Sequence, residues 1–435
     1  MSNEAASKSG WIYDNPLYSD MEANLRRFLV ELGNAGKIDG IQICAYKDGQ
    51  VIIDTAAGVL GKDDPRPVQP DTLFPVFSVT KGVVAGMVHF LADKGKLKLD
   101  DNVAKIWPEF GSNGKEHIKV NHILNHTSGL HNALHENAKD HLFICDWDGC
   151  LKGIEKVTPE TEPGSEQMYH YLSYGWLCGG IIEHASGKQF QDVLEEAFVR
   201  PLNVEGEFYI KIPPGLDSRL ATVTIDETDE LHKLDPAADP RMPSSFTNTM
   251  VKNLIKLANM HEVRCSTEPA AGGNFSARAV ARYYAALVDG GVVPPPHPSS
   301  SHPPLGSHPH HLNSPPKDKT NQVGTKIFNT PKEKLHDAFL GIGDYKDLIL
   351  PNGTHGLGFY RYLKADGSFI GFGHSGLGGC AAYCDINNRF SIAVNINKLS
   401  TGALTGEIIR FICSELDLPV PLFYAAASHD KPKIN

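Results

Sequence analysis

A serine and a lysine three residues apart open the most reactive stretch of the chain. Ser78 and Lys81 lie at the start of an apolar segment whose hydrophobic residues recur at helical spacing. Residues three apart share a helix face, so the hydroxyl and the amine can meet. A serine nucleophile needs a neighbouring base, and a buried lysine can lose its proton and act as one. The pair predicts an activated nucleophile, although a capped helix with a solvated lysine fits the same letters.

The bulk composition is that of a globular protein without nucleic-acid or membrane partners. The 435 residues carry a net charge of -10 and contain no basic block, which argues against nucleic acid and anionic membranes as partners. The N-terminal stretch lacks a signal-peptide core, and no apolar run is long enough to span a bilayer. We therefore expect a cytoplasmic protein. Its eight cysteines are dispersed and expected to be reduced, Cys380 and Cys384 being the one close pair.

Histidine spacing offers a weak metal signal. His131 and His135 are four apart and would share a helix face, but no glutamate follows His131, so the zinc-protease pattern is absent. We interpret both as surface or structural histidines and expect neither a metal nor an organic cofactor. His308, His310 and His311 lie in a stretch dominated by proline, histidine and serine, where a bound metal would have to order a loose loop.

The remaining pattern predicts a mixed α/β protein. A helix near residues 21–36 precedes two β-prone runs around Asp48 and Gly49, a strong hairpin signal. Four strand-like runs follow residue 355, and an amphipathic helix ends the chain. Residues 1–18 form a polar tail in this interpretation, and residues 292–322 a disordered insertion, because their composition cannot pack a core.

Three motifs in order carry a family resemblance. They are Ser78-Val79-Thr80-Lys81, the tyrosine-rich run from Tyr169 through Gly175-Trp176-Leu177, and His374-Ser375-Gly376 on a predicted strand. With these motifs the chain resembles the serine β-lactamase and penicillin-binding-protein superfamily. Within it, the chain is most similar to the class C-like β-lactamase-related group, including its esterase-like members and the related domain proteins of plants and algae.

The resemblance implies the fold. We expect a β-lactamase/transpeptidase-like α+β domain over residues 19–428, in which an antiparallel sheet is flanked by helices. The sheet part would comprise residues 19–81 and 323–428, and a mostly helical region would comprise residues 82–288. The site would lie in the cleft between them.

The resemblance also implies the site. Ser78 would be the nucleophile, Lys81 or Tyr169 the base, and His374 the residue of the third motif. Two neighbouring cations, Lys81 and a protonated His374, would favour a Tyr169 phenolate. Tyr171 or Tyr174 could replace Tyr169, and His374 could merely orient Ser375.

Substrate binding would fall to residues around the third motif. Backbone N–H groups of Ser78 and Leu377 would form the oxyanion hole, while Gly376, Ser375 and Tyr171 would contact the substrate. The asparagine that helps β-lactamases hold the substrate amide is missing. Gly373 to Leu377 also nearly spells a Gly-x-Ser-x-Gly elbow, but a strand rather than a helix follows it, so this alternative is rejected.

The expected activity is acyl transfer through a serine ester. A hydrolase of small-molecule esters or amides is the first interpretation, and an acyltransferase to an alcohol or amine is the second. A non-catalytic binding module that keeps the fold is the third. β-Lactamase and DD-peptidase activities rank lower, because the missing asparagine weakens the first and no export signal is seen for either.

Overall fold

A seven-stranded antiparallel sheet is built from both ends of the chain. The computed structural model describes residues 10–135, 140, 142–225, 231, 239–309 and 324–425. The strands are β1 Gly40–Lys47, β2 Gln50–Gly61, β3 Asp64–Pro67, β4 Phe74–Pro75, β5 Phe208–Tyr209, β6 Thr224–Ile225, β7 Asn274–Phe275, β8 Tyr360–Leu363, β9 Phe369–Ser375, β10 Ala381–Asp385, β11 Phe390–Ile396 and β12 Lys398–Leu399. The large sheet has the order β3-β2-β1-β11-β10-β9-β8.

The N-terminal hairpin pairs with the last long strand. Asp48 and Gly49 both have positive φ, as a two-residue hairpin turn requires, and they join β1 to β2. On its other edge β1 pairs with β11, where Ile41 lies opposite Ile396. The predicted antiparallel sheet from the two chain ends is therefore confirmed.

Thirteen α-helices surround the sheet in the part of the chain that the structure describes. They are α1 Asp20–Asn34, α2 Val79–Asp93, α3 Val103–Ile106, α4 Val120–Leu124, α5 Trp147–Lys156, α6 Ser173–Ser186, α7 Phe190–Leu194, α8 Arg200–Leu202, α9 Asn248–Ala258, α10 His261–Arg264, α11 Ala277–Val288, α12 Lys332–Leu340 and α13 Ala403–Glu415. Most of α2 and all helices from α3 to α11 lie within residues 82–288, the region predicted to be mostly helical. The expected arrangement of an antiparallel sheet flanked by helices is confirmed.

Helix α2 is the buried centre of the molecule. Every residue of it from Val79 to Leu91 is buried. Two glycines permit this, because a Cβ on Gly82 would lie 2.4 Å from the Tyr284 hydroxyl and one on Gly86 would lie 2.1 Å from the Tyr283 hydroxyl. Tyr283 of α11 donates a hydrogen bond to the Gly82 carbonyl at 2.9 Å. The helix that begins at Ser78 is thus held rigidly against α11.

The expected disorder of residues 292–322 is wrong for the part that the structure describes, residues 292–309. Ser301 is 0 % exposed, and its hydroxyl donates to Asp54 Oδ2 at 2.7 Å. His297 Nε2 contacts the same oxygen at 3.0 Å, and Arg278 Nη1 donates to Ser301 Oγ at 2.8 Å. The prediction failed because it considered only apolar packing, whereas this segment is held by hydrogen bonds to buried charges. Residues 310–322 lie outside the described residues.

The start of the chain also differs from the expected polar tail. From residue 10 onward it lies along β2, where the Gly58 N–H donates to the Trp11 carbonyl and Tyr13 N–H donates to the Ala56 carbonyl. Residues 1–9 lie outside the described residues. Among the helices that the structure describes, none is both long enough and apolar enough to cross a membrane.

Candidate active site

The turn before α2 holds Ser78 in a strained backbone. Phe77, which precedes the serine, has φ of 48°, a value that a bulky residue rarely adopts. The Thr80 hydroxyl donates to the Phe77 carbonyl at 2.6 Å and accepts the Gly273 N–H at 2.9 Å. These bonds tie the strained residue to the strand β7 region. Ser78, 7 % exposed, is therefore presented at a defined position where α2 begins.

Lys81 makes three short contacts and is completely buried. Its Nζ lies 3.0 Å from Ser78 Oγ, 2.8 Å from the Tyr171 carbonyl and 2.9 Å from the Ala270 carbonyl. Carbonyl oxygens only accept hydrogen bonds, so the two carbonyls receive two N–H groups of the amine. When Lys81 is neutral, it has only those two N–H groups, and its lone pair faces the Ser78 hydroxyl. This is the arrangement of a base that receives the Ser78 proton.

The electrostatic setting favours the neutral form of Lys81. Burial lowers the pKa of Lys81 from 10.5 to about 7, against the opposing effect of the Glu268 carboxylate. Burial likewise raises the pKa of Glu268, which Lys81 opposes. Sequence reasoning missed Glu268, because one acidic residue in a loop carries no spacing signal.

Tyr169 faces Ser78 with its hydroxyl, whereas Tyr171 contacts Lys81 through its backbone carbonyl. Lys81 Nζ lies 5.2 Å from the centre of the Tyr169 ring. Burial raises the pKa of Tyr169 above its ordinary value, and the neighbouring Ser78 hydroxyl acts against that rise. The Tyr171 hydroxyl instead contacts Ser245 Oγ at 3.3 Å, and its ring stacks on Phe246. The structure thus brings Tyr169 to Ser78 and turns the Tyr171 hydroxyl away.

His374 lies at the same site and is neutral. Its Nδ1 contacts the Ser375 carbonyl at 2.9 Å, so Nδ1 carries the proton and Nε2 carries a lone pair. Burial, and then the nearby Lys81 charge, lowers the pKa of His374 to about 3. The expectation of a protonated His374 beside a Tyr169 phenolate is therefore wrong. An imidazolium in this dry, cation-facing position is too costly to form.

The end of strand β9 approaches the residues before the nucleophile. A Cβ on Gly376 would lie 2.2 Å from the Val76 carbonyl oxygen, so only glycine fits between the two backbones. Leu377 follows at once and begins a short 3₁₀ turn. This contact brings the backbone of Leu377 to the same side as the start of α2.

Ser375 is placed differently from Gly376 and Leu377. Its hydroxyl contacts the hydroxyls of Tyr362 at 3.0 Å and Tyr424 at 3.1 Å, within a buried tyrosine cluster. The side chain predicted to bind substrate therefore faces the protein interior.

Further histidines surround Tyr169, and the sequence assigned none of them to the site. The rings of His126 and His355 lie 4.8 Å and 5.9 Å from that of Tyr169. Burial is the main reason that the pKa of each histidine lies well below its ordinary value, and the charges of neighbouring histidines lower it further. His131 and His135 lie in a turn rather than on a helix. Within the described residues, no group of three or more His, Cys, Asp or Glu could hold a metal ion.

The fold and site define the class of serine enzymes that share the β-lactamase and penicillin-binding-protein fold. The chain belongs to the beta-lactamase family, whose model, described as beta-lactamase, matches residues 25–412. The resemblance inferred from the three motifs is thereby confirmed.

Curated relatives include proteins named as esterases. The chain is 26 % identical over 387 residues to the esterase/beta-lactamase LipL of Mycobacterium tuberculosis, covering 86 % of this chain and 81 % of that protein. It is 31 % identical over 193 residues to esterase EstB of Burkholderia gladioli, covering 41 % of this chain and 49 % of that protein.

Solved structures agree on the fold. A penicillin-binding-protein homologue from Caulobacter crescentus matches with a TM-score of 0.69 at 26 % identity, over 94 % of this chain and 100 % of that one. A family VIII carboxylesterase matches with a TM-score of 0.68 at 23 % identity, over 89 % of this chain and 94 % of that one.

Proposed function

We propose that the protein is a carboxylesterase-like serine hydrolase that cleaves small esters through an acyl group carried on Ser78. One observation carries the proposal: Lys81 Nζ lies 3.0 Å from Ser78 Oγ, and two backbone carbonyls accept hydrogen bonds from its N–H groups. A lysine held this way is a base and not a solvated surface charge. The esterase names of the relatives LipL and EstB support the same reaction class.

The first half-reaction forms the acyl-enzyme. Ser78 Oγ attacks the ester carbonyl carbon, and its proton moves to Lys81. The carbonyl oxygen becomes an oxyanion, which the backbone N–H groups of Ser78 and Leu377 stabilise. When the C–O bond breaks, the Tyr169 hydroxyl protonates the leaving alkoxide, and the proton on Lys81 restores the phenol.

The second half-reaction releases the acyl group. A water molecule attacks the Ser78 ester and gives one proton to Tyr169, which passes its own proton to Lys81. When the bond between the acyl carbon and Ser78 Oγ breaks, Tyr169 protonates Oγ, the proton on Lys81 restores the phenol, and the carboxylic acid departs. His374, neutral and with its Nε2 lone pair directed away from its own backbone contact, can accept a hydrogen bond from Tyr169 or from the attacking water.

Esters are favoured over β-lactams because no carboxamide accompanies the tyrosine motif. Tyr171 is the third residue of the triplet that begins at Tyr169, and its hydroxyl contacts Ser245. Ser173 is the third residue of the triplet that begins at Tyr171, and its hydroxyl donates to the Leu130 carbonyl at 2.7 Å. Neither can replace the asparagine that holds the substrate amide in β-lactamases. An ester has no amide N–H to be held.

An acyltransferase is the second candidate. An alcohol or amine can attack the same Ser78 ester in place of water, with the same proton transfers. A structural neighbour with a TM-score of 0.58 and 16 % identity is named EstCE1, a hydrolase with promiscuous acyltransferase activity, which supports keeping this alternative for the shared fold.

A reducing, cytoplasmic location fits this enzyme. All eight cysteines are free thiols, and six of them are buried, including the close pair Cys380 and Cys384. Proteins of oxidising compartments usually pair such residues in disulfides.

The test is hydrolysis of p-nitrophenyl acetate and butyrate by the wild-type protein and Ser78→Ala. Turnover in the wild type only, with an acyl adduct mapped to Ser78 by mass spectrometry, is the expected result. Adding methanol or an amine during turnover separates transfer from hydrolysis, because transfer yields the new ester or amide. Equal turnover by Ser78→Ala would refute the proposal.

A further inference from the structure

One buried acid beside the base has no part in the reaction as described. Glu268 is only 4 % exposed and precedes strand β7. Its carboxylate accepts the N–H of Ala270 at 3.1 Å and that of Ala271 at 2.7 Å. A buried carboxylate is costly unless an opposite charge compensates it, so Glu268 needs a charged partner in addition to these two N–H donors.

That partner is reached through Ala270. The same residue donates its N–H to Glu268 and offers its carbonyl to Lys81 Nζ at 2.9 Å. Glu268 is also the strongest of the charges that act on Lys81, and it raises the pKa of the lysine against the effect of burial. The peptide unit between Ala270 and Ala271 therefore links the two side chains, because its N–H donates to Glu268 Oε2 at 2.7 Å and its carbonyl accepts from Lys81 Nζ at 2.9 Å.

The other groups near Lys81 do not supply a counter-charge. The Cys178 thiol is buried, and burial raises its pKa, so it is neutral. His374 is neutral because burial lowers its pKa to about 3. The Tyr169 phenol is neutral because burial raises its pKa as well. Among the described groups that act on Lys81, Glu268 alone brings a negative charge.

We propose that Glu268 is a positioning residue that serves as the built-in counter-ion of Lys81. Its carboxylate holds the turn that presents the Ala270 carbonyl and stabilises the ammonium formed when Lys81 takes the Ser78 proton. The inference rests on the proposed function, because it assigns a purpose to Glu268 only if Lys81 is the base. Charge forms on Lys81 during acylation, and a fixed negative group near it lowers the cost of that step.

The test is the pH dependence of kcat/KM for p-nitrophenyl acetate in Glu268→Gln. Lys81 must be neutral to act, so activity rises with pH through the pKa of the lysine. Because Glu268 raises that pKa, removing its charge moves the acidic limb of the pH profile to lower pH, by about one pH unit. The plateau rate falls by up to about tenfold, since the ammonium formed in the reaction loses its partner.

Two variants guard the interpretation. Glu268→Gln sets an amide donor against a backbone N–H and can destabilise the turn, so Glu268→Ala, which removes the charge without that clash, is measured as well. Glu22→Gln is the matched control, because Glu22 is equally buried, accepts the Asp54 N–H at 3.0 Å and is not among the charges that act on Lys81. We expect an unshifted acidic limb in Glu22→Gln.

The outcomes separate the two proposals. The proposed function, and with it the role of Glu268, would be refuted if the wild-type protein showed no turnover or if Ser78→Ala kept the same turnover. A wild type that turns over, with an acidic limb that stays in place in both folded Glu268 variants, would refute the counter-ion role alone. A limb that moves to lower pH in both variants, and not in Glu22→Gln, supports it.

Discussion

The two tyrosines of the second motif give a sharp double prediction. In Tyr169→Phe we expect kcat for p-nitrophenyl acetate to fall by about 10²–10⁴, the usual contribution of a proton-transferring group. In Tyr171→Phe we expect kcat to stay within about threefold of the wild-type value, because this residue serves Lys81 through its carbonyl at 2.8 Å, which the substitution keeps.

Stability should change in the opposite order. The Tyr171 hydroxyl contacts Ser245 at 3.3 Å, so its loss should lower the free energy of unfolding by about 0.5–1.5 kcal/mol, while the ring still stacks on Phe246. The Tyr169 hydroxyl has no hydrogen-bond partner of ordinary geometry among the described protein groups. Its removal should leave the free energy of unfolding unchanged or slightly higher.

The assay combines steady-state rates with urea unfolding of both variants, and Ser78→Ala gives the background rate. Tyr169→Phe should be nearly inactive but as stable as the wild type, whereas Tyr171→Phe should be active but less stable. The assignment of Tyr169 would be refuted if Tyr171→Phe lost as much activity as Tyr169→Phe while remaining folded.

Three further predictions follow from other parts of the site and fold. Gly376→Ala should lower kcat by about 10²–10³, because the added methyl group pushes the Leu377 backbone away from the start of α2. Gly371→Ala is the control: its Cβ would lie 2.0 Å from the Cys384 carbonyl oxygen, so this variant should lower the melting temperature but not kcat. Wild-type activity should fall as pH drops below about 7, since Lys81 then becomes protonated; a rate that is flat from pH 8 to 5 would exclude Lys81 as the base. Asp54→Asn should lower the free energy of unfolding by about 1–3 kcal/mol, measured by urea unfolding, since it weakens the buried contacts to residues 297 and 301.

The sequence predicted the fold well where local signals and pairing agreed. The Asp48-Gly49 turn has one favoured geometry, and alternating apolar residues define the strands on either side of it. The pairing of β1 with β11 was available only through the family resemblance, since no local pattern specifies a partner as distant in sequence as Ile396 is from Ile41. The order of residues 292–309 was not predictable from composition, because it depends on Asp54 and Arg278 in distant elements.

The site was predictable in its residues more than in its electrostatics. Helical spacing predicts that the Ser78 and Lys81 side chains can meet, the three ordered motifs select this pair, and the structure places Oγ and Nζ 3.0 Å apart. The neutral state of His374 did not follow, since the burial that lowers its pKa is a property of the assembled core. Glu268 had no motif to mark it, and its contact with Lys81 through the peptide between Ala270 and Ala271 depends on the folded loop.

The pairing of Ile41 with Ile396 has a consequence for how the protein is made. On the ribosome, the hairpin of β1 and β2 emerges more than 300 residues before the strand that covers its open edge. During that interval a β-prone edge is exposed and can pair wrongly, a situation in which chaperones commonly bind nascent chains. A ribosome stalled before residue 390 should therefore carry an aggregation-prone chain without esterase activity, and folding after release should be slow, as the large separation of paired strands implies.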